Sequence, residues 1–476
     1  MQGFWQQLLG QDQPPAKVAR LISQSSQIQP NDMFVALPGA NRHGNDFVAD
    51  AVVRGASMVL TDRPVLAEVP VVLVADLPTK LPELLPLFYS DLPQVPVVAV
   101  TGTNGKTSIC QYLAQLLTLL AKPALVLGTT GNGIWPELRP ASHTTPDLVS
   151  LYALLAEHQG YQTVVMEASS HALVQNRLGL LPVEVAIFSN LTQDHLDYHL
   201  SMDNYFAAKA MLFQRQPVPK AVINIDDAYG RSLRAMLPAG CTVSAAGLAQ
   251  ADWRLQQAHY SDQGLSAQLE VSGLDHWPLQ SPLLAPFNAQ NLLLALAALQ
   301  ALGIGPEQSL PLVAQLKPAL GRMQALQHPG QPLVVVDYAH TPDALSQALQ
   351  AARVHCRGQL WVVFGCGGDR DRGKRPLMAQ AAEQWADALV ITSDNPRSEP
   401  PLQIMAEMQQ GLVEPSKARL IEDRAQAIAY ALHQAQPMDL VLIAGKGHED
   451  YQEIQGQRHA FSDQQQVLAH WQGNRA

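Results

Sequence analysis

The sequence has little of several features that mark particular protein classes. Its four cysteines, Cys110, Cys241, Cys356 and Cys366, lie far apart and form no C-x-x-C pair. Reduced thiols are therefore expected, and neither zinc-site spacing nor a disulfide framework is indicated. The best candidate for a membrane span, residues 292–299, is far shorter than the roughly 18 apolar residues that a span needs. Because the N-terminus also lacks the pattern of a signal peptide, we expect a cytoplasmic protein.

Basic residues are in the minority. The chain has 31 Lys and Arg against 41 Asp and Glu, a formal net charge of -10. A field of this sign repels nucleic acid, so local groups must hold any anionic substrate. Hydrophobic residues make up 47% and charged residues 15%, the composition of a globular chain. At about 150 residues per domain, the 476 residues predict roughly three domains rather than one small module.

Short β-branched runs alternate with helical patterns from about residue 95 onward, which is typical of a parallel sheet with crossover helices. The expected strands cover residues 95–100, 163–166, 185–188, 221–225, 333–336, 360–364, 388–392 and 440–443. Segments 52–60 and 69–74 indicate a smaller α/β unit, a helix is expected at 288–302, and residues 240–280 carry few recognisable signals. We predict an α/β protein with three domains, 1–88, 89–320 and 321–476.

Most of the suggestive motifs share one position, directly after an expected strand. They are TGTNGKT, MEASSH, SNLTQDH, DYAHTPD, GCGGDRDRGKR, TSDNPR and AGKGHED. In open parallel sheets, ligands bind at the carboxyl ends of the strands. The placement therefore predicts a site built from two facing sheets.

The segment TGTNGKT, residues 101–107, joins a strand to a helix. Its glycines let backbone N–H groups approach phosphates, Lys106 adds a cation, and the Thr107 hydroxyl suits magnesium. The loop is shorter than the usual G-x-x-x-x-G-K-[ST] spacing. ATP is nevertheless the expected ligand.

Further residues fit a metal or phosphate site only in the company of that loop. Glu167 follows one strand, and Asp194 with His195 follows the next, so a carboxylate and an imidazole are available for magnesium. Read alone, each is more often structural. Lys209 lies among apolar residues without an acidic partner four residues away, although a lone helical lysine is usually solvated.

Polar residues after later strands leave two interpretations open. Asp337 to His340, and Asn288 at a helix start, suit a ribose and an adenine edge, but short polar caps explain them equally well. Asp394 suits an ammonium and Arg397 a carboxylate, because the turn at Pro396 is stiff. This pair suits a free amino acid. The alternative is a turn with an internal salt bridge.

Taken together, the motifs resemble those of the Mur ligases over essentially the whole chain. The segments, in family order, are TGTNGKT, HTTPD, MEASSHALVQNR, SNLTQDHLDYH, YFAAKAMLF, FNAQNLLLA, GRMQ, DYAHTPD, GGDRDRGKRPLM, SDNPR and GKGHEDYQ. The resemblance is to members that add meso-2,6-diaminopimelate in peptidoglycan synthesis. It implies an N-terminal domain for the uridine nucleotide, a central ATPase domain with a mainly parallel sheet, and a C-terminal Rossmann-like domain for the amino acid.

The resemblance also implies roles for individual residues. The triphosphate would lie on Gly102, Thr103, Asn104, Gly105, Lys106, Thr107 and Ser108, with Asn288, Arg322 and Asp337 as further ATP contacts. Magnesium would be held by Thr107, Glu167, His195 and an N-carbamoylated Lys209, and Lys106, Lys209, His195 and Glu167 would be catalytic. The UDP-linked substrate would contact Ser23, Ser25, Ala40, Asn41, Arg42, Thr144, Thr145, Ser169, Gln175 and Arg177. Diaminopimelate would contact Arg370, Asp394, Asn395, Pro396, Arg397, Gly445 and Glu449.

Two segments depart from the family pattern. Gln24-Ser25-Ser26 stands where Asp-Ser-Arg is expected near the uridine, and GRMQ has Gln324 where an acidic residue is usual. The implied reaction activates the D-glutamyl γ-carboxylate of UDP-N-acetylmuramoyl-L-alanyl-D-glutamate as an acyl phosphate, which the diaminopimelate amine attacks. Alternatives are a relative that adds L-lysine, a ligase like folylpolyglutamate synthetase, and a non-catalytic nucleotide-binding switch. We expect a monomer whose ligands are small molecules, with no nucleic-acid partner.

Overall fold

The structure, a computed structural model, describes residues 2–39, 42–214, 218–238, 240–247, 251–272 and 276–473. The chain divides into two compact units. Unit 1 contains Met1–Ala245 and Ala297–Gly303, and unit 2 contains Ala246–Leu296 and Ile304–Ala476. No helix in the described ranges has the length and apolar character that crossing a membrane requires.

Unit 1 begins with a small parallel sheet in the order β1-β2-β3-β4. Its strands are β1 (Leu21–Ile22), β2 (Met33–Ala36), β3 (Met58–Thr61) and β4 (Val71–Leu73), and its helices are α1 (Gln2–Leu9), α2 (Val48–Val53) and α3 (Leu77–Phe88). The expected α/β unit is confirmed, but the apolar run 52–60 divides between the end of α2 and the start of β3. Buried residues such as Phe4, Leu60 and Phe88 form its core.

The rest of unit 1 is a larger α/β layer. It contains β5 (Val97–Thr101), α4 (Lys106–Leu119), β6 (Ala124–Gly128), β7 (Gly131–Ile134), α5 (Leu148–Glu157), β8 (Thr163–Glu167), α6 (Ser170–Val174), β9 (Val185–Phe188), α7 (Leu196–His199), α8 (Met202–Gln214), β10 (Lys220–Asn224), α9 (Ala228–Met236) and β11 (Thr242–Ala246). Strand β5 pairs in parallel with β8 on one side and β9 on the other. Because β5, β8 and β9 run parallel, the loops that follow these three strands lie at the same edge of the sheet.

Unit 2 contains two layers of strands. The first is an antiparallel ladder of β12 (Trp253–Ser261), β13 (Gly264–Val271) and β14 (His276–Ser281), followed by α10 (Pro286–Ala301) and α11 (Pro306–Val313). All but the last residue of this ladder lies in the segment 240–280, where few signals were recognisable. Its strands alternate buried and exposed residues over much of their length, and a register shift between Gln256 and His259 interrupts that pattern.

The second sheet of unit 2 has the order β15-β16-β20-β17-β18-β19 and is parallel except for β15. Its elements are β15 (Gln324–Leu326), β16 (Leu333–Asp337), α12 (Pro342–Arg353), β17 (Leu360–Phe364), α13 (Lys374–Trp385), β18 (Ala388–Ile391), α14 (Pro401–Gln409), β19 (Ala418–Leu420), α15 (Arg424–Gln434) and β20 (Leu440–Ala444), then the hairpin β21 (Tyr451–Ile454) and β22 (Gln457–Ala460), and α16 (Asp463–Gly473). The predicted strands agree with the observed ones to within two residues. The loops after β16, β17, β18 and β20 meet at one edge.

Candidate active site

A glycine loop joins β5 to α4. Gly102 and Gly105 have φ angles of +148° and +86°, which favour glycine. A side chain at Gly102 would also overlap Ser189 Oγ at the end of β9. Lys106 Nζ donates to the carbonyl oxygens of Gly102 and Thr103, at 2.8 Å each. The ammonium therefore lies along the loop at the start of α4, where the helix N-terminus favours an anion.

Two backbone N–H groups of this loop already have acceptors. Thr103 N–H donates to the Asn190 carbonyl at 2.8 Å, and Asn104 N–H donates to Asn190 Oδ1 at 3.0 Å. Because these bonds fix the loop to the segment after β9, the N–H groups at the start of α4 are better placed for phosphate than those of Thr103 and Asn104.

Glu167 ends β8 and is buried beside the loop. Thr107 Oγ1 lies 3.0 Å from both of its carboxylate oxygens, and Thr129 donates its backbone N–H at 2.8 Å and its hydroxyl at 3.2 Å. Burial raises the pKa of Glu167, against the lowering effect of Lys106. Thr107 and Glu167 thus supply a hydroxyl and a carboxylate, the hard oxygen ligands that magnesium prefers.

Lys209 is buried on α8, so the solvated alternative is excluded for this lysine. Its Nζ donates to the Gly102 carbonyl at 2.7 Å and lies 4.4 Å from the centroid of the Tyr205 ring. Burial lowers the pKa of Lys209 well below its usual value, and Lys106 lowers it further. The structure therefore places a lysine with a lowered pKa against the phosphate loop.

His195 lies near the same tyrosine. It precedes α7 with a φ of 51°, and its half-exposed ring has Nε2 3.5 Å from Asp194 Oδ2. The ring centroid is 4.9 Å from that of His171 and 6.2 Å from that of Tyr205. Tyr205 thus links the surroundings of His195 and Lys209. Within the described ranges, no group of three or more His, Cys, Asp and Glu side chains is arranged for a metal ion.

Residues expected to hold the sugar-peptide substrate form a connected group next to Glu167. Thr145 Oγ1 donates to the Glu167 carbonyl at 2.8 Å and accepts the Ser169 N–H at 3.1 Å. Arg177 Nη1 donates to the Thr145 carbonyl at 2.9 Å, and its Nη2 donates to Gln175 Oε1 at 2.7 Å. The remaining member, Thr144, has its Oγ1 3.1 Å from Oγ1 of Thr129, the threonine that hydrogen-bonds to Glu167.

The expected uridine residues are more dispersed. Ser23 Oγ donates to Asp147 Oδ1 at 3.0 Å, and Asp147 caps α5. Ser25 opens a short 3₁₀ turn, and the exposed Arg42 side chain pairs locally with Asp46 at 3.2 Å. Ala40 and Asn41 lie outside the described residues.

A polar cavity of about 330 Å³ opens at the carboxyl edge of the large sheet in unit 2. Its lining residues are Tyr338, His340, Thr341, Gly365, Cys366, Gly367, Arg370, Lys374, Asp394, Asn395, Arg397, Gly445 and Glu449. Six of the seven residues expected to contact diaminopimelate line this cavity. Pro396, the seventh, is buried in the turn behind it. Both acidic and basic side chains face the cavity, which suits an amino acid carrying ammonium and carboxylate groups.

Arg397 has a φ of 51° and two local acceptors. Its Nη1 donates to the Gly368 carbonyl at 2.8 Å, and its Nε lies 3.3 Å from Glu453 Oε2. Arg397 therefore pairs with Glu453 of β21, and not with an acidic residue of its own turn as the alternative interpretation expected. These contacts hold the guanidinium at the cavity wall.

The three remaining expected ATP contacts lie in unit 2. Asn288 Nδ2 donates to the Leu284 carbonyl at 2.8 Å. Asp337 accepts the N–H groups of Met323 and Ala339 at 2.7 and 2.9 Å, and burial raises its pKa. Both side chains therefore make local hydrogen bonds, and their assignment to ATP stays a prediction. The Arg322 guanidinium lies 5.1 Å from the centroid of the Tyr338 ring.

Sequence reasoning missed two polar residues of these edges. Ser189 Oγ donates to the Asn104 carbonyl at 2.5 Å, and Lys446 is fully buried behind the cavity. Each follows its strand inside a motif, SNLTQDH or AGKGHED, so the signal was available. Position within a motif does not reveal which residues turn inward, because that depends on packing from other elements.

Comparison with known proteins decides the family. Three family profiles cover most of the chain: "Mur ligase family, catalytic domain" matches residues 18–98, "Mur ligase middle domain" matches 100–299, and "Mur ligase, glutamate ligase domain" matches 321–447. The chain belongs to the Mur ligase family. This Mur ligase has the three-domain α/β architecture that the sequence predicted. The boundaries 1–88, 89–320 and 321–476 stay a prediction.

Similar proteins carry a more specific name. This Mur ligase is 44% identical to the UDP-N-acetylmuramoyl-L-alanyl-D-glutamate–2,6-diaminopimelate ligase of Vibrio cholerae, over 94% of this chain and 93% of the relative. It is 46% identical to the ligase of the same name from Xanthomonas campestris, over 94% and 92%. A solved structure of a ligase with this name covers 99% of both chains, with 38% identity and a TM-score of 0.73.

Proposed function

We propose that this Mur ligase joins meso-2,6-diaminopimelate to the D-glutamate γ-carboxylate of UDP-N-acetylmuramoyl-L-alanyl-D-glutamate, with conversion of ATP to ADP and phosphate. The chain is an ATP-dependent ligase of peptidoglycan synthesis, as its relatives' shared name indicates. The observation that carries the amino-acid assignment is the cavity in unit 2, where Asp394 and Glu449 accompany Arg370 and Arg397. A cytoplasmic location and a monomeric state remain expectations.

The phosphate loop would hold the ATP triphosphate. Lys106 supplies a positive charge beside Gly102 and Thr103, and the N-terminus of α4 supplies backbone donors. Charge that develops on the transferred phosphoryl group is best stabilised by such groups when they are already in place. The same lysine screens the repulsion between the γ-phosphate and the incoming carboxylate.

Thr107 and Glu167 fit a magnesium ion. The fit rests on their converging oxygens and on the buried carboxylate, whose charged form burial disfavours. When bound, magnesium neutralises phosphate charge and polarises the phosphoryl oxygens. Thr129 would keep the Glu167 carboxylate oriented toward Thr107 through its two hydrogen bonds.

We further propose that Lys209 is N-carbamoylated and, with His195, would hold a second magnesium. An ammonium cannot ligate a cation, so the residue as such does not fit. Its burial and the nearby Lys106 favour the neutral amine, whose nitrogen can form a bond to the carbon of CO₂ and release one proton. The product is a carbamate with two oxygens, which does fit magnesium.

The reaction would proceed in two displacements. The γ-carboxylate oxygen attacks the γ-phosphorus of ATP, and ADP leaves with the electron pair of the broken P–O bond. The neutral amine of diaminopimelate then attacks the acyl carbon, phosphate leaves, and the amine loses a proton. Thr145, Ser169 and Arg177 would bind and orient the muramoyl dipeptide near Glu167, while Asn288, Arg322 and Asp337 would contact ATP.

Product analysis tests this function against its alternatives. We expect a product heavier than the muramoyl dipeptide by diaminopimelate minus water, with ADP and phosphate formed in equal amounts. A ligase of the folylpolyglutamate type would instead extend a pteroylglutamate, and a nucleotide-binding switch would form no ligated product. If the enzyme incorporates diaminopimelate no better than L-lysine, the amino-acid assignment is contradicted.

A further inference from the structure

Lys446 is a fully buried lysine directly behind the cavity of unit 2, two residues after the end of β20. Its Nζ lies 3.0 Å from Asn395 Oδ1, 3.1 Å from Glu449 Oε2 and 3.9 Å from Asp394 Oδ1. These three partners line the cavity, whereas Lys446 does not. The proposed reaction assigns it no role.

Lys446 determines how the Asn395 amide is turned. Asn395 Oδ1 accepts hydrogen bonds from Lys446 Nζ and from the backbone N–H of Glu453, at 3.0 and 2.9 Å. Because both neighbours are donors, only the oxygen can face them. The amide nitrogen is thereby directed to Glu449 Oε2, to which it donates at 2.9 Å.

The same lysine determines which oxygen of Glu449 is available. Both donors, Lys446 Nζ and Asn395 Nδ2, bond to Oε2. The carboxylate is therefore held by Oε2, and because no described residue donates a hydrogen bond to Oε1, that oxygen is left for a ligand in the cavity that Glu449 lines. A carboxylate fixed in this way loses little rotational freedom when it accepts an ammonium group.

Lys446 also balances negative charge at the cavity. Asp394 and Glu449 bring two negative charges to one side of the cavity, and Lys446 is the buried cation that touches both. Without it, the two carboxylates would repel each other and their orientation would no longer be fixed. With it, they still carry one net negative charge toward a ligand.

We propose that Lys446 is a positioning residue for amino-acid selection. It turns Asn395 and Glu449 so that Glu449 Oε1 and Asp394 receive an ammonium group of the amino-acid substrate, while Arg397 receives a carboxylate. The inference rests on the proposed function of this cavity.

Lys446→Met, which keeps the length and removes the charge, is the direct test. We expect the KM for diaminopimelate to rise about tenfold or more, with the KM values for ATP and for the muramoyl dipeptide close to wild type. The matched control is Asp439→Asn, which alters a buried polar side chain at the opposite end of β20. An unchanged KM for diaminopimelate, or equal increases for all three substrates, would overturn the proposal.

A double variant separates positioning from general damage. If Lys446 acts through Glu449, adding Lys446→Met to Glu449→Gln should raise the KM much less than it does in the wild-type background. Independent, multiplying effects would contradict this. If Lys446→Met does not fold, Lys446→Gln takes its place in both experiments with the same deciding outcomes. Absence of diaminopimelate ligation by the wild-type enzyme would count against the proposed function itself.

Discussion

At the scale of single residues, the site in unit 1 contains two ionisable side chains whose charged forms burial disfavours. Burial raises the pKa of Glu167 and lowers the pKa of Lys209. Side chains shifted in this way are common at functional sites, where they reduce the stability of the free protein. For Glu167 this gives a prediction that contrasts stability with activity, and for Lys209 it gives a prediction of chemical rescue.

Glu167→Gln should raise the melting temperature of the free enzyme and remove magnesium-dependent activity. The raised pKa means that the folded state binds more protons than the unfolded state above the ordinary carboxyl value of 4.5. The stability of the wild-type protein should thus fall as the pH rises from 4.5 to the raised pKa of Glu167. This part of the pH dependence should be missing in the variant. Thermal melts across pH measure it, with the exposed Glu137→Gln as control. A variant that melts lower at every pH would show that Glu167 is stabilising.

Lys209→Ala should lose most activity and recover part of it with a short carboxylic acid, because the lost function is to offer oxygen ligands. Lys209→Arg should not be rescued, since its side chain keeps the site filled and positive. Steady-state rates with and without acetate measure the effect, and intact mass of the active enzyme checks for the carbamate. Full activity of Lys209→Ala without acid would remove the proposal.

Lys106→Ala should reduce kcat by about a hundredfold or more while the protein stays folded, because transferred charge loses its fixed partner. Turnover at saturating ATP, together with a thermal melt, measures this. The exposed Lys122→Ala, just beyond α4, provides the comparison. Near wild-type turnover in Lys106→Ala would contradict the phosphate-loop assignment.

At the scale of elements, the sequence predicted the strands better than it predicted the contacts between the loops that follow them. Runs such as 185–188 and 360–364 are continuous and buried, so their apolar character identifies them directly. The ladder β12–β14 was missed because it is half exposed and interrupted at Gln256. Which loops meet depends on the strand order, which places β20 between β16 and β17 although β20 is far away in the sequence.

For the candidate site, too, the sequence predicted which residues come together but not the contacts between them. Motif position brought Arg370, Asp394 and Glu449 to one cavity, as expected from parallel strands whose carboxyl ends share an edge. The pairing of Arg397 with Glu453 and the burial of Lys446 were not predictable. Both depend on how the hairpin β21–β22 packs, and no local pattern in the sequence encodes that packing.

Gly445→Ala should weaken diaminopimelate binding through the loop after β20. Gly445 has a φ of +117°, and a Cβ there would collide with Asp394 Oδ2. The KM for diaminopimelate should rise about tenfold, with little change in the KM for ATP. Gly456→Ala shares the left-handed strain at φ +74° but meets no atom within 4 Å, so it isolates the collision. If the two variants have equal effects on the KM for diaminopimelate, the collision with Asp394 is not the cause.

At the scale of the whole molecule, the proposed reaction uses residues of both units. Unit 1 contains the phosphate loop, Glu167 and Lys209, and unit 2 contains the cavity proposed for the amino acid. The relatives share one name along nearly the whole chain, so both parts belong to the same activity. The central claim is therefore the choice of amino acid, because ATP use is common to the family.

Competition between meso-diaminopimelate and L-lysine tests that claim most directly. L-lysine lacks the distal carboxylate, so it adds no acceptor for Arg397 to Glu453 and the Gly368 carbonyl, the side-chain partners found among the described residues. The ratio of kcat/KM values, measured by product mass in wild type and in Arg397→Ala, decides the question. We predict that wild-type enzyme prefers diaminopimelate by at least about a thousandfold and that Arg397→Ala loses most of this preference. Equal use of the two amino acids by the wild-type enzyme, or an unchanged preference in Arg397→Ala, would contradict the account.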